Sequence, residues 1–119
     1  MTFKNEFTKD APLLTTGVVA GILKITPDRL RTYDAEKLIS TRRVTTGQVQ
    51  KRLYSQNDVE WLQGIRTLVK DHKMSMSSLK FLLQVIYKNP RIDLPNNEIG
   101  KVLKEMSKNP NFKEVVKNF

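Results

Sequence analysis

Cysteine is absent from the 119 residues, which excludes disulfides, zinc–thiolate sites, thiol nucleophiles and thiol redox sensors. Histidine occurs once, at His72, so no histidine-rich metal centre can be assembled. Neither a metal nor a cofactor is expected. Apolar runs never exceed a few residues, too short for a bilayer-spanning helix. The opening residues MTFKNEFTKDAP hold no apolar signal core, so an intracellular, cytoplasmic chain is expected. A phosphate-cradling glycine loop, a Ser/His/Asp set and paired carboxylates in an apolar setting are all missing, and an enzyme is not expected.

The chain does carry positive charge. Lys and Arg number 21 against 12 Asp and Glu, a formal charge of +9. Hydrophobic residues at 39% allow one modest core, so a single domain is expected. The excess charge is concentrated. Residues 24–54 hold eight basic and three acidic groups, a net of +5, whereas residues 1–23 are neutral. Charge runs are commonly solvated faces. Arginine is favoured within this block, however, and its planar fork suits phosphate better than mere solubility requires. An anionic partner follows, nucleic acid before a membrane surface.

Residues 1–12 show no periodicity and read as a flexible arm. Val18, Val19, Ile22 and Leu23 recur one turn apart after Thr15 or Thr16 as N-cap, which predicts a helix over about 16–23. Lys24-Ile25 forms a turn. Thr26-Pro27-Asp28 then opens a second helix with a capping Thr, Pro at the first position and an acid in the first turn. Leu30, Tyr33 and Leu38 mark its buried side, and Asp28, Arg29, Arg31 and Thr32 its outer side. From Ser40 to Tyr54 the helical period is lost, and two strands turning at Thr46-Gly47-Gln48 are predicted. Ser55 caps a third helix with Val59, Trp61, Leu62, Ile65 and Leu68, closed by Lys70–Lys73. Ser75 or Ser77 caps a fourth, ended by Asn89-Pro90. Shorter amphipathic helices follow, broken at Asn109-Pro110.

The order helix, turn, helix with outward arginine, basic hairpin, capped helix is that of a winged helix-turn-helix. The expected fold is mainly α with a small β-hairpin wing, followed by short C-terminal helices. Two stretches then carry a family resemblance. One is Leu30-Arg31-Thr32-Tyr33-Asp34-Ala35-Glu36-Lys37-Leu38-Ile39. The other is Arg42-Arg43, then Gly47 to Lys51-Arg52-Leu53-Tyr54-Ser55, with Asp58-Val59 following. Together they resemble the DNA-binding domain of MerR-family transcription regulators over about residues 13–86. Lys37 stands where that family usually has Gly, Thr32 where many members have an aromatic, and the wing is somewhat long. The Leu-Arg-x-Tyr and Lys-Arg-Leu-Tyr-Ser spellings resemble the heat-shock repressor branch (HspR). Glu-Lys-Leu-Ile resembles the nitrogen regulators GlnR and TnrA.

The resemblance implies a bacterial, nucleoid-associated regulator whose partner is double-stranded DNA, with RNA polymerase or a regulatory protein as a further partner. Arg31 would reach a base edge or a phosphate. Asp28 and Arg29 lie where base edges are read, with helix capping an equal reading of Asp28, and Thr32 shares their face. Tyr33 can place its ring in the core and its hydroxyl on a phosphate. Arg42, Arg43, Lys51 and Arg52 would clamp phosphates from the wing. Tyr54 packs under it or meets the backbone. Thr15 and Thr16 can offer helix N-terminal N–H groups.

Residues 13–88 form the expected DNA-binding domain, and 89–119 a dimerisation or regulatory tail. The tail stripe Ile99, Val102, Leu103, Met106, Phe112, Val115, Val116 and Phe119 is expected to build a homodimer contact, since two-fold half-sites need two copies. The tail offers neither room for a drug-binding domain nor thiols for a metal, which favours a repressor over a metal- or drug-sensing activator. Two alternatives stay open: an excisionase-like or nucleoid-architectural protein, and an adaptor binding a protein through the tail.

Overall fold

The structure is a computed structural model that describes residues 9–40, 42–47 and 49–119, leaving aside the side chains of 42–46, 49 and 50. The chain runs β1 (Leu14–Thr15), α1 (Thr16–Leu23), α2 (Pro27–Ala35), β2 (Arg42–Thr46), β3 (Val49–Tyr54) and α3 (Gln56–Arg66). A π-helical turn, Thr67–Asp71, continues α3. After it come α4 (Met76–Lys88), α5 (Glu98–Lys108) and α6 (Pro110–Val116).

Local chemistry accounts for most of these boundaries. Thr26 Oγ1 accepts from Arg29 N at 3.1 Å and Pro27 opens α2, a start in which proline's missing N–H costs nothing. Ser55 and Asp58 form a reciprocal capping box on α3. Ser75, rather than Ser77, caps α4. The hairpin joins β2 to β3 with Thr46 opposite Val49, and Gly47 at φ 64 supplies the left-handed residue that so short a turn requires. Gln48, the other expected turn residue, lies outside the described residues.

The turn after α2 keeps its shape without glycine. Lys37 takes φ 62, and the Lys37 and Leu38 N–H groups bond back to Asp34 and Tyr33 carbonyls at 3.0 Å. Trp61 then fixes the segment that follows. Its Nε1–H donates to the Leu38 carbonyl at 2.6 Å in the buried interior.

Two expectations are corrected here. Residues 9–12 are not a loose arm: Asn57 donates to Asp10, Lys9 faces Glu60 at 3.7 Å, and β1 adds a third strand to the wing, with Leu14 opposite Tyr54. Residues 1–8, the rest of the expected arm, lie outside the described residues.

The second correction concerns the tail. Helices α5 and α6 pack onto α3 and α4, and one cluster of buried side chains extends from Val19 to Val116. Leu103, Met106, Val115 and Val116 are buried in this chain's own core; Ile99, Val102, Phe112 and Phe119 pack against it. The stripe expected to hold a second copy is therefore turned inward. Gly64 of α3 makes the approach possible, since a Cβ there would stand 2.7 Å from the Met106 side chain. Phe112 completes the seal, its ring 6.4 Å from Trp61 and edge-on to Tyr87 at 5.7 Å.

Candidate nucleic-acid interface

Helix α2 is amphipathic across its width. Leu30 and Tyr33 are buried, while Asp28, Arg29, Arg31 and Thr32 are exposed, as the sequence predicts. Asp28 does more than sit near the helix start. Its Oδ1 accepts from Arg31 Nη1 at 2.7 Å, and its carbonyl accepts from the Thr32 hydroxyl at 3.0 Å. The Arg31 fork is thereby held on the outer face with half of its side chain open to solvent. Arg29 lies on the same face with no ion-pair partner among the described residues, close enough to Tyr33 for its charge to act on the phenol.

The wing is tied to this helix by an ion pair. Arg52 Nε lies 2.8 Å from Asp34 Oδ2, with the two side chains 29% and 13% exposed. This corrects the reading of Arg52 as an open phosphate clamp: its guanidinium is engaged at the α2–wing junction. Lys51 is exposed and available. The backbones of Arg42 and Arg43 lie in β2 opposite Leu53 and Arg52, and their side chains lie outside the described ones. Tyr54 is fully buried beneath the wing and beside the Thr16 hydroxyl, the first of the two readings of it. Thr15 is the α1 cap, its hydroxyl accepting from Val18 N at 3.5 Å, and its side chain is exposed.

Sequence reasoning missed Asp34 and the lysines near the helix-turn-helix turn. Asp34 follows buried Leu30 by four residues, so it sits on the inward edge of α2, where a carboxylate calls for a cation. That spacing was available. Lys70 and Lys73 come close to Lys24 only through the fold.

Burial raises the pKa of both tyrosines. At Tyr33 the charges of Arg29 and Arg66 pull partly the other way. At Tyr54 burial is again the main cause; Thr16 and Arg52 oppose it, and Asp34 and Asp58 add to it. The folded state thus prefers the neutral phenol more than the unfolded chain does. This contribution to stability is complete below about pH 10, the ordinary tyrosine value, and is lost as pH rises through the higher folded values. Urea melts at successive pH values should show stability declining above about pH 10, and the Tyr33→Phe/Tyr54→Phe double variant should lose this part of the decline.

A helix-turn-helix with an exposed arginine face and an adjoining basic hairpin defines a DNA-binding regulatory protein. The model of the MerR HTH family regulatory proteins matches residues 14–85, more than half of the chain, and the chain belongs to that family. It is 31% identical over 80 residues to the putative heat shock protein HspR of Streptomyces coelicolor, a match that covers 67% of this chain and 51% of that protein. It is 29% identical over 108 residues to the HTH-type transcriptional regulator GlnR of Bacillus anthracis and to that of Bacillus cereus, covering 84% of this chain and 81% of theirs. The chain therefore spans about half the length of the HspR relative. Among the described residues, no helix is long and apolar enough to cross a membrane.

Proposed function

We propose that the protein binds a pseudo-palindromic promoter site as a homodimer and represses transcription by occupying it. The observation that carries this reading is the outward face of α2, where Arg29, Arg31 and Thr32 stand exposed together beside a wing fastened to the same helix. Arg31 reads a base edge, Arg29 and Thr32 contact the same groove, and Lys51, Arg42 and Arg43 meet the flanking phosphates. Thr15 and Thr16, at the start of α1, add backbone N–H groups toward a phosphate. Repression asks least of such a domain, since occupancy alone blocks a promoter. A second copy must dock elsewhere than on the inward-turned tail stripe, and among the described residues Phe81 on α4, 67% exposed, is the largest apolar side chain left open.

The test is fluorescence anisotropy with a duplex selected by the protein from a random pool. With about five phosphates neutralised, affinity should fall roughly 500-fold between about 50 and 200 mM salt. A complex containing two chains per selected duplex is expected in the same titration. Absence of binding to any duplex at low salt would overturn the proposal.

A further inference from the structure

Between the turn of the helix-turn-helix and the π-helical end of α3 lies an open cavity of about 530 Å³. Lys24, Arg29, Lys70 and Lys73 line it, and no carboxylate does. Among the described residues these four cations have no ion-pair partner. Elsewhere on the same domain Arg31 is paired with Asp28, Arg52 with Asp34, Arg66 with Asp71 and Lys80 with Glu36. Unpaired cations facing one hollow repel one another, and an anion relieves that repulsion.

Lys24 and Lys73 have φ of 57 and 58, the left-handed region in which a side chain is a steric burden. Glycine would end both segments with less strain. Lys37 takes the same conformation at φ 62 away from the cavity; Lys24 and Lys73 are the two that line it. Tyr33 also lines the space. Its ring is buried, and among the described residues no protein group hydrogen-bonds its hydroxyl. Ile25 and Val69 supply apolar wall. The volume is that of a small-molecule site, larger than one phosphate needs.

We propose that this cavity binds a free phosphorylated small molecule bearing at least two phosphate charges, which occupies the DNA-binding domain itself and competes with duplex for Arg29. Lys24, Arg29, Lys70 and Lys73 take the phosphates, the Tyr33 hydroxyl donates to one of them, and Ile25 and Val69 cover the organic part. Only the competition rests on the DNA-binding reading; the binding does not.

The probe is inorganic pyrophosphate, added to the full chain at constant ionic strength, with thermal melting and amide chemical shifts as readouts. A saturable rise in melting temperature is expected, with shifts centred on Lys24, Tyr33 and Lys70. In Lys24→Asn/Lys73→Asn, where asparagine tolerates the left-handed backbone, affinity should fall at least about tenfold. The control Lys101→Asn/Lys104→Asn removes equal charge from α5 and should bind as the native chain does. Absence of a saturable rise, or equal losses in the two double variants, overturns the site.

A second arm adds duplex. Pyrophosphate should weaken duplex binding beyond its ionic strength in the native chain, and not in Lys24→Asn/Lys73→Asn. If the free chain ignores pyrophosphate while that variant loses duplex affinity, the cavity takes a backbone phosphate and the proposal falls. If pyrophosphate binds and no duplex does, the site stands and the DNA-binding reading fails.

Discussion

A chain ended at Lys88 is expected to be largely unfolded at 25 °C, although it retains the whole helix-turn-helix and the wing. Leu103, Met106, Val115 and Val116 are each at most 4% exposed, against α3 and α4. Burying a side chain of this kind contributes about 1.5–3 kcal/mol, so four contribute roughly 6–12 kcal/mol. The whole stability of a domain is about 5–15 kcal/mol. The truncated chain would also lose Phe112 from beside Trp61 and Tyr87. Circular dichroism and urea melts decide the matter: a truncated chain that melts cooperatively at the midpoint of the full chain would refute the shared core. A gentler version is Leu103→Ala, expected to cost about 2–5 kcal/mol through lost contacts and a residual cavity. Val18→Ala, on the open face of α1, should cost less than about 0.5 kcal/mol.

Arg31→Ala is expected to weaken binding to a selected duplex about 10- to 100-fold while changing affinity for random duplex less than about threefold. The reasoning is geometric. Arg31 lies on the outer face of α2, and Asp28 holds its guanidinium from one side at 2.7 Å. A fork already oriented loses less freedom on meeting a base edge. The same pair does little for the fold: both side chains are largely solvated, and an exposed ion pair one turn apart contributes next to nothing. The variant should therefore melt as the native protein does, which separates lost contact from lost structure. Equal losses on selected and random duplex would take base reading away from α2. Arg52→Ala should behave differently, because Arg52 is joined to Asp34. It loosens the wing and should lower affinity for both duplex classes together.

Much of the fold was legible because it is written in short-range chemistry. Thr26-Pro27-Asp28 and Ser55 with Asp58 mark helix starts by their own hydrogen-bonding needs, and the structure puts α2 and α3 there; Asn109-Pro110, read as a break, also caps and opens α6. The exposed side of α2 follows from where Leu30 and Tyr33 must go. What escaped depended on partners distant in sequence. A stripe such as Leu103, Met106, Val115 and Val116 announces that it will be covered, not by what, and the missing Cβ of Gly64 is the one local sign that α5 comes close. Strand β1 is two residues long and exists only because β3 has an open edge. Arg52 was read as reaching outward because its acid lies eighteen positions earlier, on another element. The glycine missing at Lys37 left no mark on the fold, since the lysine adopts glycine's conformation there.

The π-helical turn at Thr67–Asp71 carries one residue more than an ordinary helical ladder would use. Arg66 and Asp71, five apart, meet across it at 3.2 Å, and the Thr67 hydroxyl turns back to the Gln63 carbonyl at 2.9 Å. Each residue of a helix advances the azimuth by about 100°. Deleting any one of these five would let the ladder close in the regular way and yield a better helix by every local measure. Because the extra residue is taken up within the turn itself, Lys73 and α4 would stay nearly in phase with the elements they now face, whereas the same deletion inside α3 would rotate them by about 100°. At this one place the helix can lose a residue and keep its register.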